Sequence, residues 1–361
     1  MKPTLAVKLD DHRTSSLYIG DGLLQDTGFM AALGLPSRIA VISNQTVANL
    51  FGSCLNNLSA EHELILIGDG EEYKSLETYS QVMDELVTRQ FNRDMAVVAL
   101  GGGVVGDLAG FVAATYQRGV RLVQIPTTLL AQVDSALGGK TAVNHANGKN
   151  LIGAFYQPET VLIDAATLRT LPPKVFTEGL AEVIKYGVIY DPEFFAWLED
   201  NANAVLGRET DALQFIVRRS CEIKAAVVAD DEREQGQRAI LNYGHTFGHA
   251  LEAECGYGQL LHGEAVSIGM VMAADLATRE GYCDSRTAKR IKNILAAYRL
   301  PSTPPVFDKH ALLRSMAMDK KVQQGKLRFV LPKYIGSVFI TGEFRLVNLH
   351  ETLDAYSDLC A

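Results

Sequence analysis

The chain has 361 residues, of which 47% are hydrophobic and 21% charged, and its formal net charge is -8. This length allows two domains with sizeable cores, and the composition is that of an ordinary soluble globular protein. The acidic balance argues against a nucleic-acid partner, which would favour a basic face. It still permits a small anionic substrate, because a local cluster of lysines can override the overall sign.

The cysteines and the N-terminal sequence indicate the cellular compartment in which we expect the protein. The five cysteines are scattered, and none has C-x-x-C spacing: Cys54, Cys221, Cys255, Cys283 and Cys360. They predict free thiols in a reducing compartment, so we expect a cytoplasmic protein. The N-terminus leads into an alternating strand and not an apolar signal core, and no apolar run reaches membrane-spanning length. We therefore expect no membrane partner.

Short apolar runs alternate with helical stretches in the first half of the chain. Two short strands, at 5–9 and 16–20, predict a hairpin at a sheet edge. Continuous apolar runs follow at 38–44, 63–67 and 95–100. This alternation predicts an α/β domain with a parallel sheet covered on both faces. Ligands bind beyond the C-terminal ends of such strands, where the glycine-rich and acidic turns of this chain fall.

A break at Leu171-Pro172-Pro173 marks the predicted domain boundary, with an α/β domain at 1–172 and a mostly α-helical domain at 173–361. The second domain shows a series of helical stretches: 174–189, 192–204, 209–228, 238–255, 263–280 and 285–298. A short β-like piece at 328–331 and a last helix near 348–359 end the chain.

Three histidines and a carboxylate in the second domain suggest a metal site. The stretch 238–255 predicts one helix on which four polar residues share a face: Arg238, Asn242, His245 and His249. His262 follows in a glycine-punctuated turn, and Glu182 and Lys185 share a helical face upstream. A helical histidine pair is more often capped or solvated. One carboxylate with two imidazoles, however, suits a zinc-type ion that keeps one coordination position open.

A glycine-rich turn in the first domain allows nucleotide binding. Gly101-x-Gly103-x-x-Gly106 follows a strand and opens a predicted helix, which is the context of the dinucleotide fingerprint. It follows a later strand than usual, and no acidic residue ends a strand about twenty residues on. Packing alone could also explain these glycines. Asp69, Glu71 and Lys74 could instead supply ribose and phosphate contacts.

The stretch 134–153 predicts a long polar loop in an otherwise tight α/β pattern. It holds four glycines and several cations and amides: Lys140, Asn144, Asn147, Lys149 and Asn150. Such a loop suits phosphate or a polyhydroxylated ligand. A solvated surface loop is the alternative, and the length of the segment favours function.

Several motifs in this order resemble the 3-dehydroquinate synthase family of sugar phosphate cyclases. The segments that carry the resemblance are 69–74, 99–107, 124–135, 138–144, 179–187 and 242–250. Together the matching region spans about 38 to 321. The resemblance implies a dehydroquinate synthase-like fold, in which an α/β NAD-binding domain precedes a helical domain that binds metal and substrate.

The resemblance also implies site residues. Zinc or cobalt would be held by three residues: Glu182, His245 and His262. NAD would contact the first domain through Asn44, Asp69, Gly70, Glu71, Glu72, Tyr73, Lys74, Gly103, Val104, Val105, Gly106, Asp107, Thr127, Thr128, Lys140, Lys149, Thr167, Leu168, Arg169 and Thr170. Catalytic and substrate contacts would come from Asp134, Lys140, Asn150, Lys185, Lys224, Arg238, Asn242, His249 and Lys320. Arg118 would reach the substrate phosphate of a neighbouring subunit, which implies a homodimer.

The implied reaction converts 3-deoxy-D-arabino-heptulosonate 7-phosphate to 3-dehydroquinate and phosphate, in the shikimate pathway of aromatic amino acid biosynthesis. It would combine transient NAD oxidation, β-elimination of phosphate, re-reduction, ring opening and an intramolecular aldol step, with the metal beside the nicotinamide. We assign proton relay to His249, because an imidazole titrates near neutral pH. The alternatives are a metal-dependent polyol dehydrogenase of the same fold, a cyclase for another sugar phosphate, and a catalytically idle binding protein.

Overall fold

The computed structural model describes residues 2–8, 14–58, 60–232, 234, 236–256, 259–318 and 327–357. In chain order the strands are β1 (Leu5–Lys8), β2 (Thr14–Gly20), β3 (Arg38–Asn44), β4 (Glu61–Ile67), β5 (Ala96–Gly101), β6 (Arg121–Pro126), β7 (Lys140–His145), β8 (Gly148–Phe155), β9 (Thr160–Asp164), β10 (Phe329–Tyr334) and β11 (Ser337–Thr341). The helices are α1 (Thr27–Ala31), α2 (Gln45–Phe51), α3 (Leu76–Thr88), α4 (Gly103–Thr115), α5 (Pro173–Ile189), α6 (Pro192–Asp200), α7 (Ala202–Leu206), α8 (Thr210–Asp230), α9 (His245–Glu254), α10 (His262–Arg279), α11 (Ser285–Ala297), α12 (Lys309–Met318) and α13 (Leu346–Ser357).

The chain divides into two compact units. The first comprises Met1–Pro172 with Thr210–Arg233, and the second Pro173–Glu209 with Glu234–Ala361. The sequence predicts a single boundary at Pro172, whereas the chain returns to the first unit for α8. In that unit α8 packs against β1, β2 and the short helix Ala131–Ser135. The helical pattern of α8 reveals an apolar face but not which neighbour that face will cover.

The first unit is built on a seven-stranded sheet with the order β1-β2-β9-β6-β5-β3-β4. β1 and β2 form the predicted antiparallel hairpin at one edge, and the other neighbouring strands are parallel. Alternate residues of a strand face opposite sides. In β5, Val97 and Ala99 therefore enter one buried cluster, whereas Val98 and Leu100 enter another. The prediction of a parallel sheet covered on both faces is confirmed.

The strand order reverses next to β3. β4 pairs with one side of β3, and β5 pairs with the other side. Turns that follow two such strands diverge and leave a crevice at the C-terminal edge, which is where open α/β sheets bind ligands. The turns after β3 and β5 begin at Asn44 and Gly101.

The prediction of a polar loop at 134–153 is wrong. Ala131–Ser135 forms a short π-helix, and β7 pairs with β8 as an antiparallel hairpin. Thr141 and Val143 are buried, so β7 alternates as a strand does. Glycines and lysines hide this period-two pattern in the sequence. At Gly153 a Cβ atom would lie 2.0 Å from the Thr141 carbonyl oxygen, so only glycine lets the strands approach this closely.

The second unit is mostly helical, with a small β10–β11 hairpin. The predicted helix at 238–255 is broken. Gln237–Asn242 forms a 3₁₀ turn, and α9 begins only at His245, after Gly244 with φ +81°. A Cβ atom at Gly244 would lie 2.8 Å from the Val266 carbonyl oxygen of α10. The left-handed conformation and the close α10 backbone thus both require glycine. The sequence predicts that Arg238 and Asn242 share a helical face with His245 and His249. Because the helix is broken, they do not share one.

Among the helices in the described ranges, none combines the length and apolar character needed to cross a membrane.

Candidate metal and nucleotide sites

Glu182, His245 and His262 converge within the second unit. Glu182 comes from the middle of α5, whereas His245 and His262 are the first residues of α9 and α10. Glu182 Oε1 lies 3.7 Å from His245 Nε2 and 3.9 Å from His262 Nε2. The three residues offer ligand atoms that all lie within 4.8 Å of one another. Residues far apart in the chain therefore present one carboxylate and two imidazoles to one point.

The carboxylate is buried and only partly satisfied. Glu182 is fully buried, and Lys185, one helical turn later on α5, forms an ion pair with its Oε2 atom. Among the residues that the structure describes, Glu182 Oε1 has no hydrogen-bond partner. An orphaned carboxylate oxygen in the interior is costly unless something compensates its charge.

The hydrogen bond at His245 determines which ring nitrogen is free to bind a ligand. His245 Nδ1 lies 3.1 Å from the Tyr243 carbonyl oxygen, which can only accept a hydrogen bond. Nδ1 therefore carries the proton of the neutral ring, and Nε2 directs a lone pair toward Glu182 Oε1. A lone pair and a carboxylate oxygen repel each other unless a cation lies between them. The donor set thus fits a divalent ion such as Zn²⁺ or Co²⁺.

His249 and Glu252 lie beside the three converging residues. The His249 ring centroid is 5.3 Å from that of His245 and 5.9 Å from that of His262. His262 Nδ1 lies 3.4 Å from Glu252 Oε2. His249, Glu252 and His262 also form a second group with ligand atoms within 4.8 Å of one another. Sequence reasoning gave Glu252 no role, although it follows His245 by seven residues, which is two helical turns on the same face.

Close packing of α10 on α5 brings His262 toward Glu182. A Cβ atom at Gly263 would lie 2.0 Å from the Glu178 carbonyl oxygen of α5. Glu178 is itself perturbed: burial raises the pKa of its carboxyl, and His262 opposes that rise. The glycine after His262 is therefore required by packing, because any side chain there would push α10 away from α5.

The other predicted site residues of the second unit differ in environment. Lys185 and Arg238 are almost completely buried. Asn242 is half-buried, and its Nδ2 donates a 2.6 Å hydrogen bond to Glu234 Oε1. Lys320 lies outside the described residues.

In the first unit, Asn44 links the ends of two neighbouring strands. Its Oδ1 atom accepts from Val47 N at 2.8 Å and so caps α2, while its Nδ2 donates to Asp69 Oδ1 at 3.0 Å. Thr46 Oγ1 donates to Asp69 Oδ2 at 2.9 Å. The Asp69 carboxylate is thereby fixed just beyond β4, with lone pairs left to accept hydrogen bonds from a ligand.

The glycine turn after β5 packs closely on the turn after β6. Thr127 N donates to the Gly101 carbonyl oxygen at 2.9 Å. A Cβ atom at Gly102 would lie 3.1 Å from Thr128 Cγ2, and one at Gly103 would lie 3.1 Å from Ser135 Oγ. These glycines therefore serve packing. They also leave the first N–H groups of α4 at the sheet edge, where a helix N-terminus favours a phosphate.

A buried ion pair joins the turn after β4 to α4. Lys74 Nζ lies 2.5 Å from Asp107 Oδ2, and Lys74 is buried. Burial raises the pKa of the Asp107 carboxyl, and the nearby Lys74 ammonium opposes that rise. Three other predicted NAD contacts lie in the same turn. Tyr73 is exposed, and a Cβ atom at Gly70 would collide with the Glu72 carboxylate.

The β7–β8 hairpin lies against the same turn. Asn144 N donates to the Lys74 carbonyl oxygen at 2.7 Å, and Asn144 Nδ2 donates to Glu71 Oε1 at 2.8 Å. Asn144 Oδ1 accepts a hydrogen bond from Asn150 N at 2.9 Å, and Asn150 has φ +55°. Lys140 and Lys149 lie on this hairpin, at the first residue of β7 and the second of β8. Asn144 thus connects Asn150 to the turn at 71–74.

Two further cations of the first unit lie in contrasting places. Lys224 is buried on α8 and donates to Asp134 through both the carbonyl oxygen and Oδ1, each at 2.5 Å. Arg118 is exposed, has φ +66° and ends a short 3₁₀ helix three residues before β6 begins. Arg118 therefore lies at the N-terminal edge of the parallel strands, opposite the turns that follow them.

The short helix after β9 holds the predicted residues 167–170. Gln132 is fully buried, and its Nε2 atom contacts Thr167 Oγ1 at 2.9 Å and the carbonyl oxygens of Pro126 and Asp164. Arg169 pairs with Asp21 at 2.9 Å. Gln132, which sequence reasoning left unassigned, thus connects the ends of β6 and β9. Nothing in its sequence position marks it.

Comparison with protein families gives matches across most of the chain. A model described as 3-dehydroquinate synthase N-terminal matches residues 64–178, and one described as 3-dehydroquinate synthase C-terminal matches residues 179–322. A 3-dehydroquinate synthase from Pseudoalteromonas atlantica is 49% identical over 97% of this chain and 99% of the relative. Another from Halorhodospira halophila is 50% identical over 94% of this chain and 96% of the relative.

Solved structures give the same fold. A 2-epi-5-epi-valiolone synthase from Streptomyces hygroscopicus, with NAD⁺ and Zn²⁺ bound, superposes with a TM-score of 0.88 at 28% identity over 96% of this chain and 97% of that one. A 2-deoxy-scyllo-inosose synthase with carbaglucose-6-phosphate, NAD⁺ and Co²⁺ has a TM-score of 0.88 at 26% identity over 98% and 99%. A probable glycerol dehydrogenase from Sinorhizobium meliloti, at 16% identity, 100% and 99% coverage and a TM-score of 0.60, shares the fold alone.

Proposed function

Because the chain belongs to the 3-dehydroquinate synthase family, we propose that it converts 3-deoxy-D-arabino-heptulosonate 7-phosphate to 3-dehydroquinate and inorganic phosphate. NAD and a divalent Zn²⁺ or Co²⁺ ion are the cofactors of this proposal. The observation that carries it is the convergence of the orphaned Glu182 Oε1 with the Nε2 atoms of His245 and His262.

Residues of the two units would hold the cofactors. Glu182, His245 and His262 would bind the cation. The turns after β3, β4, β5, β6 and β9 would bind NAD, with the Asp69 carboxylate accepting from a ribose hydroxyl and the N-terminus of α4 facing the pyrophosphate. When bound, the cation would polarise a substrate hydroxyl while NAD takes up a hydride and later returns it.

His249 is the proposed proton relay at the reacting hydroxyl. Its ring lies between 5 and 6 Å from the rings of both His245 and His262. A third imidazole this close to the two proposed metal ligands would take up or release a proton at the substrate hydroxyl. Lys185 supports this chemistry by neutralising Glu182 Oε2, which leaves Oε1 for the metal.

Basic side chains would hold the phosphate and the carboxylate of the substrate. Lys140 is exposed at the start of β7, Lys224 is oriented by Asp134, and Arg238 is buried. Arginine suits a carboxylate or phosphate because its planar guanidinium group can donate two parallel hydrogen bonds to the anion. Asn150, Asn242 and Lys320 complete the proposed substrate contacts.

Arg118 is proposed to act across a homodimer. In its own unit it lies at the edge of the parallel strands opposite the proposed NAD turns, so it is poorly placed to serve that site. A partner subunit would instead use its guanidinium to bind the substrate phosphate. The proposed setting is the reducing cytoplasm, which is consistent with the free thiols of Cys54, Cys221, Cys255 and Cys283.

Phosphate release tests the proposal. The purified protein is incubated with the heptulosonate phosphate, with and without NAD and a metal chelator, while inorganic phosphate and NADH are measured together. We expect phosphate release that requires both NAD and metal, with no net accumulation of NADH, because the hydride is returned in each turnover.

The same assay separates the alternatives. Steady NADH formation with polyols and no phosphate release would identify a dehydrogenase and overturn the proposal. Phosphate release from a glucose or sedoheptulose phosphate in preference to the heptulosonate phosphate would identify a different cyclase. No release from any sugar phosphate would leave only a binding protein.

A further inference from the structure

We propose that Glu252 is a positioning residue that fixes the ring of His262 for cation binding. The inference rests on the proposed function, because it concerns the same metal site. Glu252 is on α9, only 5% exposed, and its Oε2 atom lies 3.4 Å from His262 Nδ1. The opposite nitrogen of that ring, Nε2, lies 3.9 Å from Glu182 Oε1.

The two contacts of His262 define its tautomer. An ionised carboxylate only accepts hydrogen bonds, so the proton of the neutral ring lies on Nδ1, facing Glu252. Nε2 then carries the lone pair and directs it toward Glu182 Oε1. Without Glu252, the ring could equally carry its proton on Nε2 and would then be unable to bind a cation there.

His245 and His262 need different supports because they begin their helices differently. His245 follows Gly244 and has its Nδ1 beside the carbonyl oxygen of Tyr243, two residues earlier. His262 is more exposed than His245, and the acceptor beside its Nδ1 is the Glu252 carboxylate. The acceptor for His262 therefore comes from the neighbouring helix α9.

A carboxylate behind a metal-binding imidazole does more than orient it. Its negative charge raises the basicity of the ring and stabilises the partial positive charge that the ring gains on binding a cation. Such outer carboxylates typically change metal affinity by about 10- to 100-fold when removed. The predicted contribution of Glu252 is thus to affinity, and the three direct ligands remain Glu182, His245 and His262.

The experiment measures Zn²⁺ affinity of the full chain, without substrate or NAD, by competition with a chromogenic chelator. Glu252→Gln keeps the shape and one acceptor oxygen but loses the charge, and Glu252→Ala removes both. Glu254→Gln, on the same helix and partly exposed, is the matched control. We expect weakening of about 10- to 100-fold for Glu252→Ala, a smaller loss for Glu252→Gln, and wild-type affinity for the control.

A second readout separates positioning from a merely structural role. Co²⁺ replaces Zn²⁺, and its visible absorption reports the ligand field; we expect a shifted spectrum for Glu252→Gln with unchanged thermal unfolding of the metal-free protein. Wild-type Zn²⁺ affinity in both Glu252 variants would overturn the inference. The inference would also be overturned if Glu252→Gln lost the metal completely while Glu182→Ala kept it. Glu252 would then be a direct ligand.

These results are distinguishable from failure of the proposed function. If the wild-type protein binds Zn²⁺ but releases no phosphate, the activity is wrong, and the affinity series still decides the role of Glu252. If the wild-type protein binds no Zn²⁺ at stoichiometric concentration, both the metal site and the role of Glu252 are overturned.

Discussion

At the residue scale, the chemistry of the second unit depends on which atoms of each side chain are already engaged. Lys185 occupies Glu182 Oε2 and the Tyr243 carbonyl oxygen occupies His245 Nδ1, so the remaining atoms of Glu182 and His245 face each other. Two groups that only accept hydrogen bonds, buried together, need a positive charge between them. A cation bound at the proposed site would therefore relieve an unfavourable arrangement that the fold itself creates.

Removing one ligand should remove the metal. We expect His245→Ala and Glu182→Ala each to lose stoichiometric Zn²⁺ and turnover, because two remaining donors bind the ion far more weakly. Metal content after gel filtration and phosphate release are the measurements. His310→Ala, an exposed histidine on α12, is the control and should keep both. A ligand variant that retains one ion per chain would refute this ligand assignment.

Lys140 should matter for rate and not for folding. It is exposed at the start of β7, so Lys140→Ala should keep the thermal stability and metal content of the wild type. We expect kcat/KM to fall about 10- to 100-fold, because a charge-assisted contact contributes about 1.5–3 kcal/mol. Lys292→Ala, exposed on α11, is the matched control and should not change the rate. An unchanged rate in Lys140→Ala would exclude the β7–β8 hairpin from the active site.

At the element scale, glycines bring helices and strands close enough to assemble the sites. Gly244 precedes α9 in a left-handed conformation, and Gly263 lets α10 contact the backbone of α5. In the first unit the glycines after β5 admit the threonine turn after β6. The glycine-rich motifs therefore serve close packing of the backbone, and the proposed ligand contacts depend on that packing.

Gly263→Ala should weaken both stability and metal binding. Its Cβ atom would lie 2.0 Å from the Glu178 carbonyl oxygen, so α10 must shift and move His262 away from Glu182. We expect a loss of about 1–3 kcal/mol in the free energy of unfolding and weaker Zn²⁺ binding. Urea titration and chelator competition are the measurements.

Gly52→Ala provides the comparison for this prediction. Gly52 has φ -57°, and nothing lies within 4 Å of a Cβ atom placed there. This variant should be neutral or slightly more stable, because alanine restricts the unfolded chain. If Gly263→Ala unfolds like Gly52→Ala, the packing argument for α10 fails.

At the scale of the whole molecule, each unit carries a different part of the proposed active site. The first unit holds the proposed NAD turns, Lys140, Asp134 and Lys224, and the second holds the proposed metal ligands and His249. The residues proposed for the reaction are thus divided between the two units. In the proposed arrangement, Arg118 would come from a second copy of the chain.

Mixing two inactive variants tests the shared site. Arg118→Ala and Lys185→Ala should each be inactive alone, but a heterodimer has one site with both residues intact. After subunit exchange in equal amounts, we expect recovery of about one quarter of wild-type activity, because half of the dimers are mixed and each has one intact site. Size-exclusion chromatography checks the oligomeric state. No recovery from a confirmed heterodimer would place Arg118 in the site of its own subunit.

The sequence by itself determined the class of the first unit and the identity of the family. Continuous apolar runs predicted the parallel strands, because that signal is local in the chain. The glycine and acidic turns are local signals too, and they remain a prediction of where ligands bind. The ordered motifs from Asp69 to His249 indicated the family, which the comparisons confirmed. These features depend on residue type and spacing, which can be read without coordinates.

Only the tertiary structure decided the rest. The return of α8 to the first unit, the break at Gly244 and the β7–β8 hairpin all depend on which distant surfaces pack together. The contact of Glu252 with His262 joins two helices, and a helical spacing does not reveal which neighbour a buried carboxylate meets. A residue's type defines what it can donate or accept, whereas packing between distant segments decides which partner it finds.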